Sequence, residues 1–223
     1  MADMSDEEWV QIHSGAMTNT TPDSLVRVSV VQNTELICPA MSNKDFGILI
    51  MKLRDQALRL IKIRMDELEA WTPAAQRRVQ RWFGISDNAT RSILGSGLPR
   101  LYKSMTELRP ENIIRYSEER GRNISCAPVA NIQDTAASVC KPDSARRIIA
   151  IYPKFCAFPD AELFHNNKLS AIVHECTHFS DTFDSADKMY AYKEYLGDVW
   201  AQKKPDLAIT NADSLTMYIT YPN

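Results

Sequence analysis

The segment "AIVHECTHFSDTFDSADKMYAY", Ala171 to Tyr192, gathers the residues of this chain best suited to chemistry. It holds two of the four histidines, His174 and His178, with Glu175 between them. Residues four apart on a helix lie one above the other on the same face, so these two imidazoles project together and can share one Zn²⁺. Glu175 can polarise a water held by such an ion and pass its proton to a leaving amine. Leu169, Ile172, Val173 and Cys176 follow the i, i+3, i+4, i+7 spacing of a core-facing stripe. The two histidines border that stripe, where core meets cleft, and Cys176 within it reads as a packed thiol. A catalytic zinc usually has three protein ligands and an open position. No histidine follows His178, so the HExxHxxGxxH arrangement is excluded. The remaining donors are His165 upstream and Asp181, Asp184, Asp187 and Glu194 downstream, and spacing alone does not choose among them.

The elements that must position these residues are legible in outline. An amphipathic helix starts at Ser42 or Asn43, with Ile50, Leu53, Ala57, Ile61, Met65 and Leu68 on its apolar face. "TPAAQRRVQRWFG" is a second helix, with Thr72 suited to the N-cap, Pro73 to the first turn and Gly84 to the stop. "SDNATRSILGSG" and "LPRLYKSMTEL" read as two short helices. "NIIRYS" and "RRIIAIYP" are β-rich runs bounded by turn residues. The histidine helix follows, then a helix over "ADKMYAYKEYLGDVWAQKK", then a closing helix over "NADSLTMYIT". Helices, then strands, then helices predict an α+β fold. Residues 1–41, with a strand at Val26–Gln32, read as an N-terminal extension to a domain over 42–223.

Composition narrows the function classes. The chain has 223 residues, 44% hydrophobic and 24% charged, with a formal net charge of −2, which leaves no electrostatic footprint for nucleic acid. The Arg77, Arg78 and Arg81 cluster therefore reads as a solvated face and not as a DNA reader. No apolar run is long enough to span a bilayer. The acidic start, "MADMSDEEWVQIHSG", has no apolar region of a secretory signal. The five cysteines contain no CxxC. Cys126 and Cys140 either close the loop between them as a disulfide or stay as buried thiols, and the odd count leaves at least one thiol without an intramolecular partner.

The motif and its surroundings resemble the aspzincins, the deuterolysin and peptidyl-Lys metalloendopeptidase family of zinc proteases. "HECTHF" followed by "DKMY" is similar to the family's HExxH, short turn and Asp-x-x-Tyr. The resemblance implies a zincin-like fold, mostly helical with a small sheet before the active-site helix. It implies one catalytic Zn²⁺ held by His174, His178 and Asp187, with Glu175 as general base and Tyr190 as the phenol that stabilises the oxyanion. "RWFG", "IIAIYPKFCAF" and "NADSLTMY" extend the likeness over about Trp71 to Tyr218. In the family the last aspartate lies by the pocket for the residue after the scissile bond, which makes Asp213 a substrate-binding candidate. Three departures stand out. Ser185 and Ala186 replace the family's Gly-Thr, Ala191 replaces a glycine, and Thr216 stands where the lysine-specific branch has a second acid.

These readings predict a zinc endopeptidase acting on a protein or peptide substrate. The alternative is a non-enzymatic binding module on a degenerate zincin scaffold, against which the intact Glu175 argues. The lack of a secretory signal points to export by a non-classical route. That would suit a toxin-like effector delivered by a contact-dependent bacterial machine into a target periplasm or host, with a possible inhibitor or immunity protein as partner. A cytoplasmic protease is the alternative.

Overall fold

The computed structural model describes residues 37–162, 166–190 and 194–222. The expected strand at Val26–Gln32, most of the expected N-terminal extension and His165 lie outside the described residues.

Helix α1 (Asn43–Ala70) starts where Ser42 accepts the Asp45 backbone N–H, and it buries Phe46, Ile50, Leu53, Ala57, Ile61 and Leu68. It stops at Trp71, which adopts the left-handed conformation. Helix α2 (Pro73–Phe83) has the expected Thr72 cap, Pro73 in its first turn and Gly84 at its end. Gly84 sits at φ 74°, where a Cβ would also lie 2.1 Å from the Ala201 carbonyl oxygen, so only glycine fits this stop.

The two short helices expected next are one helix, α3 (Asn88–Glu107), which runs through Pro99. A proline here forgoes one backbone bond and crowds the carbonyl four residues back. The continuous buried row Leu94, Leu98, Leu101 and Met105, packed against α1, outweighs that local cost.

Strand β1 (Ile113–Arg115) follows a short 3-10 turn, then α4 (Glu118–Gly121), β2 (Ala137–Val139), a 3-10 segment (Lys141–Arg146), β3 (Ile149–Ile151) and α5 (Pro153–Ala157). The sheet order is β1-β3-β2. β3 pairs parallel with β1 (Ile113 opposite Ile149) and antiparallel with β2 (Ala137 opposite Ile151). β3 is fully buried, and β2 is an edge strand, half-buried along its length. The sequence shows β1 and β3 as apolar runs. It hides β2, whose Ala-Ser-Val has no such signature.

Helix α6 (Lys168–His178) then crosses the core, and α7 (Glu194–Lys203), α8 (Pro205–Ala208) and α9 (Ala212–Thr220) complete the described chain. Helix thus dominates an α+β fold in which the small sheet precedes the histidine helix, as expected. One expected helix is shorter than predicted: Asp187 to Tyr190 lies outside helical structure, and α7 starts only at Glu194.

Cys126 and Cys140 form a disulfide, one of the two alternatives left open by the sequence. A second disulfide joins Cys38 to Cys156 across 118 residues, a pairing that no local pattern announces. Cys176 is the free, buried thiol. Among the described residues no helix is long and apolar enough to cross a membrane.

Candidate metal centre

The histidine helix is anchored at its start by a reciprocal cap. Asn167 Oδ1 accepts the Ser170 N–H at 2.7 Å, and Ser170 Oγ accepts the Asn167 N–H at 3.1 Å. Leu169, Ile172, Val173 and Cys176 are buried as the stripe requires. That fixes the rotation of α6 and turns His174 and His178 toward one wall of a cavity of about 750 Å³. Asp187, Tyr190, Asp213 and Thr216 line the same cavity, as do Ser138 and Val139 of β2.

Of the carboxylates that spacing left open, one reaches the histidines among the described side chains, which do not include that of Glu194. Asp187 Oδ1 lies 3.1 Å from His174 Nε2 and 3.4 Å from His178 Nε2. The three residues offer donor atoms that all fall within 4.8 Å of one another. Asp181 instead pairs with Arg147, and Asp184 with Lys141. Two donors on a tetrahedral zinc, each about 2.0–2.1 Å from the ion, stand about 3.3 Å apart. The spacings of Asp187 to the two imidazoles match that value, so a zinc fits this donor set.

Each imidazole is also held by its far nitrogen. His174 Nδ1 donates to Asp213 Oδ1 at 2.7 Å, and His178 Nδ1 donates to the Ser185 carbonyl at 3.0 Å. A carbonyl or carboxylate only accepts, so both Nδ1 atoms carry protons and both Nε2 atoms face the cavity. Asp213, expected to contact substrate, thus touches His174. That contact was not anticipated, because nothing local in "NADSLTMY" points back to α6. Asn211 was also missed. It is fully buried, and its side-chain oxygen accepts the Lys188 and Met189 backbone N–H groups at 2.9 and 3.0 Å. The Ala186 N–H donates to the Thr210 carbonyl, and the Ala212 N–H donates back to the Ala186 carbonyl. Bound this way to the start of α9, the backbone at Asp187 cannot also satisfy a helix, which is why the expected helix begins later.

Glu175 is 7% exposed, and burial raises its carboxyl pKa against the lowering effect of the two imidazoles. Tyr190 is half exposed, its ring stacked parallel to that of His174 at 6.3 Å between centroids. Burial and a bond to Asp187 raise its phenol pKa, so the hydroxyl keeps its proton and remains a donor.

The family model of the aspzincins, described as lysine-specific metallo-endopeptidase, matches residues 69–220. This chain belongs to that family. It is a zinc metallo-endopeptidase with one catalytic zinc ion, and its substrates are proteins or peptides. Among solved structures, a zinc peptidase from Grifola frondosa superposes with a TM-score of 0.57 at 18% identity, over 78% of this chain and 93% of that chain. That likeness is one of fold. A comparison with curated proteins gives no match.

Without metal, the centre holds protons. Burial alone would lower the His174 pKa, but the bonds to Asp187 and Asp213 overcome it and raise the imidazole to about 10. The stabilisation this gives is fully present below the ordinary histidine pKa near 6.5 and is lost as pH rises through about 10. Thermal unfolding of chelator-treated protein should therefore show a midpoint that falls steadily between about pH 6.5 and 10, and His174→Gln should flatten that fall. A wild-type midpoint that stays level across this range would contradict the assignment.

Proposed function

We propose that His174, His178 and Asp187 hold the catalytic zinc and that Glu175 is the general base and then the general acid of peptide hydrolysis. The observation that carries this reading is the convergence of two Nε2 atoms and one carboxylate oxygen at zinc-like spacing, beside a buried glutamate. When bound, the zinc supplies a Lewis acid that makes a water nucleophilic near neutral pH. Glu175 takes a proton from that water and delivers it to the departing amine, a task favoured by its raised pKa. Tyr190 donates its phenolic hydrogen to the oxyanion that forms as the carbonyl is attacked. The edge of β2 that no described strand covers belongs to a strand lining the cavity, and it suits an extended peptide that adds to the sheet through backbone hydrogen bonds.

The alternative of a non-enzymatic scaffold has less support, because a structural zinc site tends to be closed by four protein ligands. Glu175→Gln should lower kcat by at least about a hundredfold while one zinc per chain remains bound. Near-wild-type proteolysis by this variant would rule out the proposed base.

Asp213 carries two proposed roles: it orients His174, and it presents negative charge to a basic side chain after the scissile bond. Asp213→Asn separates them. Zinc affinity weaker by about 10–100-fold reports the first role, and loss of preference for basic residues in mapped cleavage products reports the second. A variant unchanged in both measurements would remove Asp213 from the site.

Two disulfides support a place of action in an oxidising compartment. With that support we retain the delivered effector, and an inhibitor or immunity partner, as the biological setting. Expression with a periplasmic leader should slow bacterial growth, while cytosolic expression should not. Equal growth in both arms would count against a toxin.

A further inference from the structure

The link between His178 and Asp187 lacks the glycine-rich wording of its family, yet it delivers a metal ligand to within 3.1 and 3.4 Å of the histidine nitrogens. Its inner side is bound to α6. The Asp184 N–H reaches the Phe179 carbonyl and the Ser185 N–H the Thr177 carbonyl. Thr182 Oγ1 lies 2.8 Å from the carbonyls of Cys176 and Phe179. The left-handed position that a glycine would suit falls on Asp184, at φ 50°, and aspartate tolerates that conformation better than most residues.

The outer side is held differently. Arg100 of α3 donates two bonds to the Thr182 carbonyl, at 2.9 and 2.7 Å. Arg147, just before β3, donates two bonds to the Asp181 carboxylate at 2.5 Å each, and it also contacts Glu107 of α3. Lys141 reaches the Asp184 carboxylate at 2.7 Å and its carbonyl at 3.1 Å. Phe183 lies over Gly97, where a Cβ would come within 2.1 Å of its ring. Three cations, one from α3 and two from the ends of the 3-10 segment before β3, therefore grip three residues of one short link, and a side-chain-free notch in α3 seats a fourth.

We infer that Arg100, Arg147 and Lys141 form a clamp that positions Asp187 for the metal, so that zinc affinity depends on contacts made by residues that touch none of the three metal-facing side chains. A bidentate guanidinium–carboxylate pair fixes orientation as well as distance, and Arg147 with Asp181 is such a pair. The Arg147–Asp181 pairing lowers the pKa of Asp181 and raises that of Arg147, so both stay charged near neutral pH.

The inference rests on Asp187 as third ligand, and the test keeps the two apart. Asp181 is half exposed and Arg100 lies at the surface, so Asp181→Ala and Arg100→Met should fold. Zinc dissociation constants are measured by competition with a chelating dye for wild type, both single variants, the double variant and Asp187→Asn. The double variant should bind zinc about tenfold more weakly or worse. Its kcat should fall at saturating zinc while KM changes little, because the substrate cleft is not touched. Exchanging the charges, Arg147→Asp with Asp181→Arg, should recover part of the affinity lost in Arg147→Asp alone. If Asp187→Asn weakens zinc binding and the clamp variants do not, whatever their melting temperatures, the clamp is wrong. If Asp187→Asn leaves zinc binding unchanged, the ligand assignment itself falls.

Discussion

An imidazole binds a metal well only when its ring is prevented from turning away, and the far nitrogen is the handle by which a protein prevents this. Here the two handles are held by very different partners. His174 is held by the Asp213 carboxylate on α9 and His178 by the Ser185 carbonyl in the link after α6. The rest of the described structure follows from this need. α9 must pack against α6 to present Asp213, and the link must fold back on the end of α6 to present Ser185. That same fold-back aims Asp187 at the two Nε2 atoms. The buried stripe of α6 makes this possible by fixing which side of the helix faces the cavity.

The segment at the start of α9 serves two layers of the site at once. Asn211 ties down the backbone just after Asp187, and Asp213, two residues on, ties down the ring of His174. A side chain expected to address the substrate is therefore also bonded to a proposed zinc ligand. On the proposed assignment, a change of specificity attempted at Asp213 disturbs the metal along with the substrate.

The parts of this arrangement that were legible in the sequence are those with local causes. The caps of α2, the stripe of α6 and the run of β3 can each be read from a dozen residues, because periodicity and capping are short-range. The Asp187–Tyr190 stretch has a composition that predicts a helix. It is not helical because Asn211, more than twenty residues later, takes its backbone donors. Arg100 acts on Thr182 across 82 residues and Arg147 on Asp181 across 34, so a clamp that replaces glycine wording leaves no mark in the link itself. β2 was hidden for a related reason. It is a short edge strand inside a loop closed by Cys126 and Cys140, where a covalent ring supplies part of the order that a longer apolar run provides elsewhere.

The dependence of the centre on residues 210–213 sets an order of events during synthesis. His174, His178 and Asp187 leave the ribosome before Asn211 and Asp213 do, and until the later pair arrives one imidazole is loose and the backbone at Asp187 has nothing to bind. A nascent or truncated chain that stops short of residue 211 carries all three donors but no frame to converge them. On the proposed ligand set, competence to bind the metal therefore comes late in synthesis, with the last helix.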